Sequence, residues 1–519
     1  MIMLRAAAFA ALLLLGAAAG AAAQSVTLTS PGGGVTVSGD LLEFDGEFYR
    51  VDTIYGPMTV DAAGVGCEGN GCPDLSSFVS ELFISGSARM GTVLVPALIE
   101  GFAARAGLRA ERRLQEDGGT TYLLTDPAER RVTARFHLRA TNTDEGFADL
   151  LATEADIVMA ARVVRPEERQ RAREVGLGDL SSARQSRVVA LDALIPVVST
   201  SSMVSQIAPE DMAGVLSGRV INWQDLRGPD APVVVHLPSP ALGLGQAVED
   251  LVLRPVDQRL TVPVEFHLDL DDLATAVQAD PFALGLTSYS DAGGTRALTL
   301  TGGCDFRQQA TRRTVKTEDY PLTMPLLFYM PAKRLPKIGR DFLNFLRTPS
   351  AQLVVRRSGF IDQTPEEIAL QSQGDRFTNA ILSAGPEITL EELQRMTRRL
   401  WGMSRLTTSF RFEPGSVRLD AQSRSNVQQL AEVFETGRYD ARTVVFIGFS
   451  DGEGAARPNR DIALQRAETV RKAVQRAARD ANFERVTVRV DAFGEALPMA
   501  CDDTPWGRDA NRRVEVWVR

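Results

Sequence analysis

From about residue 79 the sequence alternates short apolar runs with amphipathic ones, and this alternation limits the possible folds more than any other feature. Leu82-Phe83-Ile84, Ala155-Asp156-Ile157-Val158-Met159 and Val188 to Val198 have the continuous apolar character of buried strands. Between them Leu94, Leu98, Ile99 and Phe102 recur at helical spacing, and Pro209 opens a helix that Gly218 ends. Strands alternating with helices predict an α/β domain with a mainly parallel sheet and ligands at the C-terminal ends of its strands. The loop after the first of these strands, Ser85-Gly86-Ser87-Ala88-Arg89, is small and polar.

At 519 residues the chain calls for more than one domain. Residues 1–23 read as a cleavable secretory signal, with Arg5 at its positive start, an apolar run from Ala6 to Gly20 and a small-residue cleavage site at Ala21-Ala22-Ala23. An uncleaved membrane anchor is the rival reading, and no later stretch is long and apolar enough to span a bilayer. Residues 24–78 form a small β-rich module, with strands at Thr27-Leu28-Thr29, Gly34 to Val37 and Met58-Thr59-Val60 and turns at Asp40, Asp45-Gly46 and Gly56-Pro57. The α/β domain fills 79–365. A helical connector over 366–404 carries Leu393, Met396, Leu400 and Trp401 on one apolar face. Residues 405–519 read as strand, helix, strand, helix, strand, strand, an α+β domain.

A net charge of −9 with no basic tract excludes a nucleic-acid binder. Cys67 and Cys72 flank Glu-Gly-Asn-Gly, a flexible loop suited to a disulfide in an exported chain. The competing zinc reading has only two ligands in sight and no histidine near. Cys304 and Cys501 lie in different domains, and the sequence leaves their pairing open. His137, His236 and His267 are scattered through the middle domain without metal or catalytic spacing. There is no G-x-S-x-G elbow and no phosphate-cradling P-loop, so no catalytic residue, metal or cofactor is assigned.

Near the end of the chain come Gly448-Phe449-Ser450-Asp451, Gly454, Asn459, Arg466-Ala467 and Asn511-Arg512-Arg513-Val514-Glu515. This set resembles the OmpA-like peptidoglycan-binding domain. The resemblance implies periplasmic association with the wall or outer membrane, and peptidoglycan with diaminopimelate stem peptides as the ligand. Diaminopimelate presents an ammonium and a carboxylate on one carbon. The resemblance sets Asp451 on the amine and Arg466 on the carboxylate, which a guanidinium fork matches bidentately. Asn459 would hold the intervening loop through side-chain-to-backbone bonds. Arg512 and Arg513 fall on opposite faces of the last strand, and Arg513 is taken as the ligand-side one.

The α/β region resembles the phosphate-binding protein of bacterial ABC importers. Its matching segments are Ile84-Ser85-Gly86-Ser87, Ala155 to Arg162, Val189 to Leu194, Leu216 to Trp223 and Tyr320-Pro321-Leu322. The resemblance implies a two-lobed periplasmic binding protein that closes over a small anion such as phosphate and delivers it to an ABC permease. Ser85, Ser87 and Arg89 before one helix, and Thr141 and Thr143 before another, would frame the anion with backbone N–H groups. Asp156 would accept the proton of hydrogen phosphate, and Arg162 would add charge-assisted bonds. The loop Leu237 to Gly245 departs from this pattern. Pro238, Leu242 and Leu244 stand where an arginine and hydroxyl residues are implied, leaving Ser239 as substitute donor. Two functions follow: a solute-binding-like protein tethered noncovalently to the wall, or a structural envelope protein with a degenerate pocket that works in wall attachment and partner contact. A hydrolase is the third and weakest reading.

Overall fold

The computed structural model describes residues 25–519 apart from Ser76, Asp305 and Pro414, so the secretory segment expected over 1–23 lies outside the described residues. The N-terminal module is an antiparallel sheet in the order Gly56–Asp61, Phe48–Thr53, Thr36–Phe44, Ser25–Thr29, Gly66–Glu68. Its small core is Val26, Leu28, Tyr49 and Val51. A Cys67–Cys72 disulfide closes the loop after the last strand. Asp40 does not turn the chain. It points to solvent from the middle of a strand, paired with Ser25 and Asp52, and Gly56-Pro57 opens a strand. Buried Asp45 accepts from Arg334 and Arg340, each at 2.7 Å, and so fastens the module to the middle domain.

The middle domain is built on one long mixed sheet. Its order is Glu265–His267, Val234–Pro238, Ala283–Ser288, Ser186–Val198, Thr323–Tyr329, Ile157–Ala160, Ser80–Ser87, Arg131–Thr141, Thr120–Asp126, Arg109–Leu114. Parallel pairing holds where helices cross over: Ser80–Ser87 with both neighbours, and Val234–Pro238 with both of its own. Elsewhere the pairs run antiparallel, so the expected mainly parallel sheet is a mixed one. The segment 109–141 is a meander with tight turns, which cannot give parallel strands. Ser186–Val198 threads two lobes: Ser186 to Ala193 pairs with Thr323–Tyr329, and Leu194 to Val197 pairs with Ala283–Ser288. One core gathers Leu82, Ile84, Phe102, Phe136, Phe328 and Phe342. The other gathers Leu194, Ile195, Leu216, Trp223, Leu237 and Leu286.

The C-terminal sheet runs Glu367–Ala369, Ser404–Phe410, Val514–Val518, Thr443–Phe449, Thr487–Gly494. Strand alternation divides its side chains. Val444 and Phe446 face the helices Ala421–Glu435 and Ala456–Ala477, while Val445, Ile447 and Phe449 face the other way. That second face is covered by Ala380, Met396 and Leu400 of the helices Gly374–Leu382 and Leu390–Leu400. The segment expected as a helical connector therefore supplies a covering layer and an edge strand of this domain. Trp401 lies just past the end of its helix and is exposed. A further short helix, Pro505–Asn511, precedes the last strand.

The C-terminal domain is docked on the middle domain. A second disulfide joins Cys304 to Cys501. Arg405 donates to both carboxylate oxygens of Asp319, at 2.6 and 2.8 Å, in a fully buried pair. Trp506 donates to Leu251 O at 2.6 Å. Among the described residues no helix is long and apolar enough to cross a membrane.

Candidate functional site

Two places merit a functional reading: the cleft between the lobes and an acid–arginine pair in the C-terminal domain. The cleft holds a cavity of about 300 Å³. Ser87, Arg89 and Ala161 reach it from one lobe, and Leu242, Leu244 and Leu268 to Asp271 from the other. The geometry at the end of Ser80–Ser87 depends on Gly86, whose φ is 128° and whose Cβ would sit 2.2 Å from Met159 O. Its neighbours bring Ser87 to the cleft and leave Ser85 tied to Asp149.

The anion frame expected from the sequence is largely spent on other partners. Ser85 donates to Asp149, which also receives Arg139 at 2.8 Å. Thr143 Oγ1 accepts from Ala161 N at 3.1 Å. Asn142 caps the helix Thr143–Leu151, accepting from Glu145 N at 2.9 Å, and Thr141 only approaches Asn142 O at 3.5 Å. Ser239 accepts from Ala241 N at 3.3 Å and is absent from the cavity wall. Gly243 of the facing loop sits against Ser87 and Thr143: a Cβ there would lie 3.8 Å from both hydroxyls.

Asp156 and Arg162, expected as anion ligands, are engaged elsewhere. Asp156 lies at the opposite end of its strand from the cleft, where it accepts from Phe83 N at 3.0 Å and pairs with Lys333 at 3.1 Å. Arg162 is buried and bound to Asp144 and Glu168, with Asp250 of the other lobe 3.6 Å away. Arg165 adds a 3.1 Å bridge to Asp250, so this cluster spans the lobes.

The one buried carboxylate among the described cleft-lining residues is Asp192, only 3% exposed. Burial pushes it up to about 6, against the opposing pull of its bonds from Ser288 Oγ and Ala193 N. Arg89 is the cleft's one cation among the described lining residues, and it is paired with Asp291. Burial raises Asp291, and Arg89 opposes that rise. Asp269, which caps Leu270–Ala279, and Asp271 complete an acidic and apolar wall. The sequence signal for Asp192 was a lone acid within the apolar run from Val188 to Val198.

In the C-terminal domain, the inward stripe of the helix Ala456–Ala477 is Asn459, Ala463, Arg466, Ala467, Val470 and Val474. The helix lies so close to the sheet that a Cβ on Gly448 would fall 1.9 Å from Ala463 O. Glycine is thus required there, and Arg466 is pressed toward the loop after Thr443–Phe449. Arg466 is 7% exposed and stacks 5.2 Å from the Phe412 ring centroid. Its Nε has no hydrogen-bond partner, and no carboxylate forms an ion pair with it among the described residues. Burial lowers its pKa, nearby Arg512 lowers it further, and Asp451 pulls it back up.

Asp451, also buried, pairs with Arg512. Burial weighs against Arg512's charge, but Asp509 and Asp451 hold its pKa above the usual value. Asn459 donates to Asp451 O at 3.3 Å and Glu453 O at 3.1 Å, bracing the loop. Arg513 takes no part in this site. It is wholly buried on the other face, donating to Glu515 at 2.7 Å and to Leu497 O at 2.9 Å. Glu515 collects Arg376, Arg513 and Trp517, and serves as a structural hub.

Residues 117–350 match the PBP superfamily domain, and residues 411–512 match the OmpA family. The chain joins a binding-protein-like domain to an OmpA-like domain. The binding-protein-like part is similar to the phosphate-binding protein PstS of Staphylococcus aureus strain USA300, at 19% identity over 51% of this chain and 83% of that protein. It is also similar to PstS of Borreliella burgdorferi, at 21% identity over 36% of this chain and 70% of that protein. Among solved structures, an ABC-type phosphate transport receptor from Vibrio cholerae aligns at 18% identity with a TM-score of 0.41, covering 54% of this chain and 99% of that one. The peptidoglycan-associated lipoprotein from Burkholderia pseudomallei aligns at 21% identity with a TM-score of 0.19, covering 22% of this chain and 90% of that one.

Two histidines that look scattered in the sequence meet in the binding-protein-like domain. His236 Nδ1 lies 3.0 Å from His267 Nε2 and 3.5 Å from Glu265 Oε2. Burial lowers the pKa of His236, and Glu265 opposes that shift. The third histidine, His137, stacks on Phe83 and contacts Thr121.

Proposed function

We propose that this chain is a non-catalytic, solute-binding-like periplasmic protein held noncovalently on peptidoglycan by its OmpA-like domain. One observation carries the tether: the Arg466 side chain is buried with its Nε unbonded and, among the described residues, no carboxylate paired with it, beside a buried Asp451. An unpaired buried charge is costly unless a ligand completes it. The carboxylate of a diaminopimelate stem peptide would fill that role, with its ammonium on Asp451. The test is co-sedimentation of the mature protein with purified sacculi, competed by free diaminopimelate. Retention that ignores the competitor and survives loss of Arg466 sinks the tether.

For the cleft, similarity to phosphate-binding proteins supports a small anion as ligand and an ABC permease as partner. The charges support a different emphasis. A phosphate dianion would meet Asp192, Asp269, Asp271 and Asp291, with only an already paired Arg89 in its favour. Contacts that bridge the lobes would also oppose hinge motion. The Arg165–Asp250 bridge spans the lobes, and the OmpA-like domain holds one lobe through Cys304–Cys501 and Trp506. It reaches the other through Arg347 and Glu432, 3.7 Å apart. These restraints favour the reading in which the cleft captures phosphate weakly and the protein acts in wall attachment and partner contact. Calorimetry with phosphate separates the two readings: saturable micromolar binding would restore the transport role and its permease.

A further inference from the structure

We infer that His236, Glu265 and His267 form a binding site for one divalent transition-metal ion of the Zn²⁺ type, at the edge of the second lobe. The strand geometry builds it. Glu265 and His267 are two apart on the edge strand and so project on the same face. His236 is registered opposite Glu265 on the parallel neighbour and joins them on that face. The three side chains bring their ligand atoms within 4.8 Å of one another. A tetrahedral zinc ion with bonds of ~2.0–2.1 Å sets its ligand atoms about 3.3 Å apart. Two of the three separations, 3.0 Å between the imidazole nitrogens and 3.5 Å from His236 to Glu265, bracket that value, and the third lies within 4.8 Å.

Two imidazoles and one carboxylate suit Zn²⁺ and its neighbours, whereas Mg²⁺ and Ca²⁺ prefer oxygen alone. His236 is 4% exposed, while Glu265 is on the surface, so the site has a fixed base and an open approach. Three protein ligands leave a fourth position for water.

The site also sits behind the cleft wall. Val234–Pro238 runs into the turn that carries Leu242 and Gly243, and Glu265–His267 runs into Leu268 to Asp271. Ser239 N already donates to His267 O at 2.8 Å across the two strand ends. An ion held by these strands would pin both cleft-lining loops together. This inference needs only the two strands and stands whether or not the cleft takes a solute.

The experiment uses the untagged mature chain, stripped with a chelator. Zn²⁺ is titrated by calorimetry, and Co²⁺ by visible absorption, where a strong d–d band reports tetrahedral coordination. We expect one ion per chain, a rise in melting temperature with metal, and affinity about 100-fold weaker in His267→Gln and in Glu265→Gln. Both variants change surface-reaching residues, so the result does not depend on whether the buried His236→Gln variant folds. His137→Gln should bind as the unmodified chain does. No saturable binding, or equal binding by the His267 and Glu265 variants, overturns the site and leaves the 3.0 Å contact as a plain hydrogen bond. Binding that persists without the Co²⁺ band in the unmodified chain overturns it too, because the ion then sits among carboxylates elsewhere.

Discussion

Replacing Arg466 with methionine should abolish wall binding without weakening the fold. The guanidinium is buried on the inward stripe of its helix, between Ala463 and Val470, and no carboxylate pairs with it among the described residues. Leaving its Nε buried and unbonded costs about 1–3 kcal/mol. Contact with Phe412 returns about 0.5–2 kcal/mol. Asp451 returns little more, because it is already matched by Arg512. Methionine keeps the apolar stem against Phe412 and removes the charge. The fold should therefore be unchanged or firmer by up to about 2 kcal/mol. Binding runs the other way. A bidentate grip on a carboxylate is two charge-assisted hydrogen bonds of roughly 1.5–3 kcal/mol each. Their loss weakens the dissociation constant by about 10²–10⁴-fold. Urea midpoints and sacculus co-sedimentation read the two quantities on one preparation. A variant that loses more than about 1 kcal/mol of stability yet still sediments with sacculi would make Arg466 a structural post and remove the basis of the tether.

Four further outcomes are expected. Asp192→Asn removes the cleft's buried charge and should raise phosphate affinity about tenfold at neutral pH, whereas Asp156→Ala, at the far end of its strand, should leave calorimetric titrations unchanged. Glu318 is half-buried, and desolvation, then Asp420, pushes it up to about 8 against the pull of Arg411, 3.7 Å away. The folded state keeps this proton where the unfolded chain has released it, so its contribution is present below about 4.5 and lost as pH rises through about 8. Glu318→Gln should flatten that slope by an amount on the order of 3 kcal/mol, read from urea midpoints on either side of the window. Cys304→Ser with Cys501→Ser opens a cross-link of sequence separation 197, worth at most about 5 kcal/mol by loop entropy. Calorimetric scans should then resolve separate transitions for the two domains, and an unaltered single transition would show that the Arg405–Asp319 contact suffices.

What the sequence made legible is what depends on near neighbours. Alternation through Val444 to Phe449 places a strand between two layers, and the structure uses both of its faces. Cys67 and Cys72 enclose so short a loop that their pairing needs no tertiary knowledge. Arg466 is the one charged residue on the inward helical stripe of Asn459, Ala463, Ala467, Val470 and Val474, a local anomaly that any helical projection exposes. What the sequence hides is the partners and directions that distant segments set. Asp156 looks like a ligand because it adjoins a buried strand, but its end of that strand is fixed by register with Ile84, which turns it away from Ser87. Arg162 has the charge for an anion, yet Asp144, Glu168 and Asp250, the last supplied by the other lobe, consume it. Alternation separates Arg512 from Arg513 but does not say which is buried. That choice belongs to Glu515, whose wholly buried carboxylate draws in Arg513 and so leaves Arg512 for Asp451. His236 and His267 are likewise 31 residues apart and meet only because two parallel strands come into register. The common cause is that a charged or polar side chain is chosen by its partner, and the partner's position is a property of the finished fold.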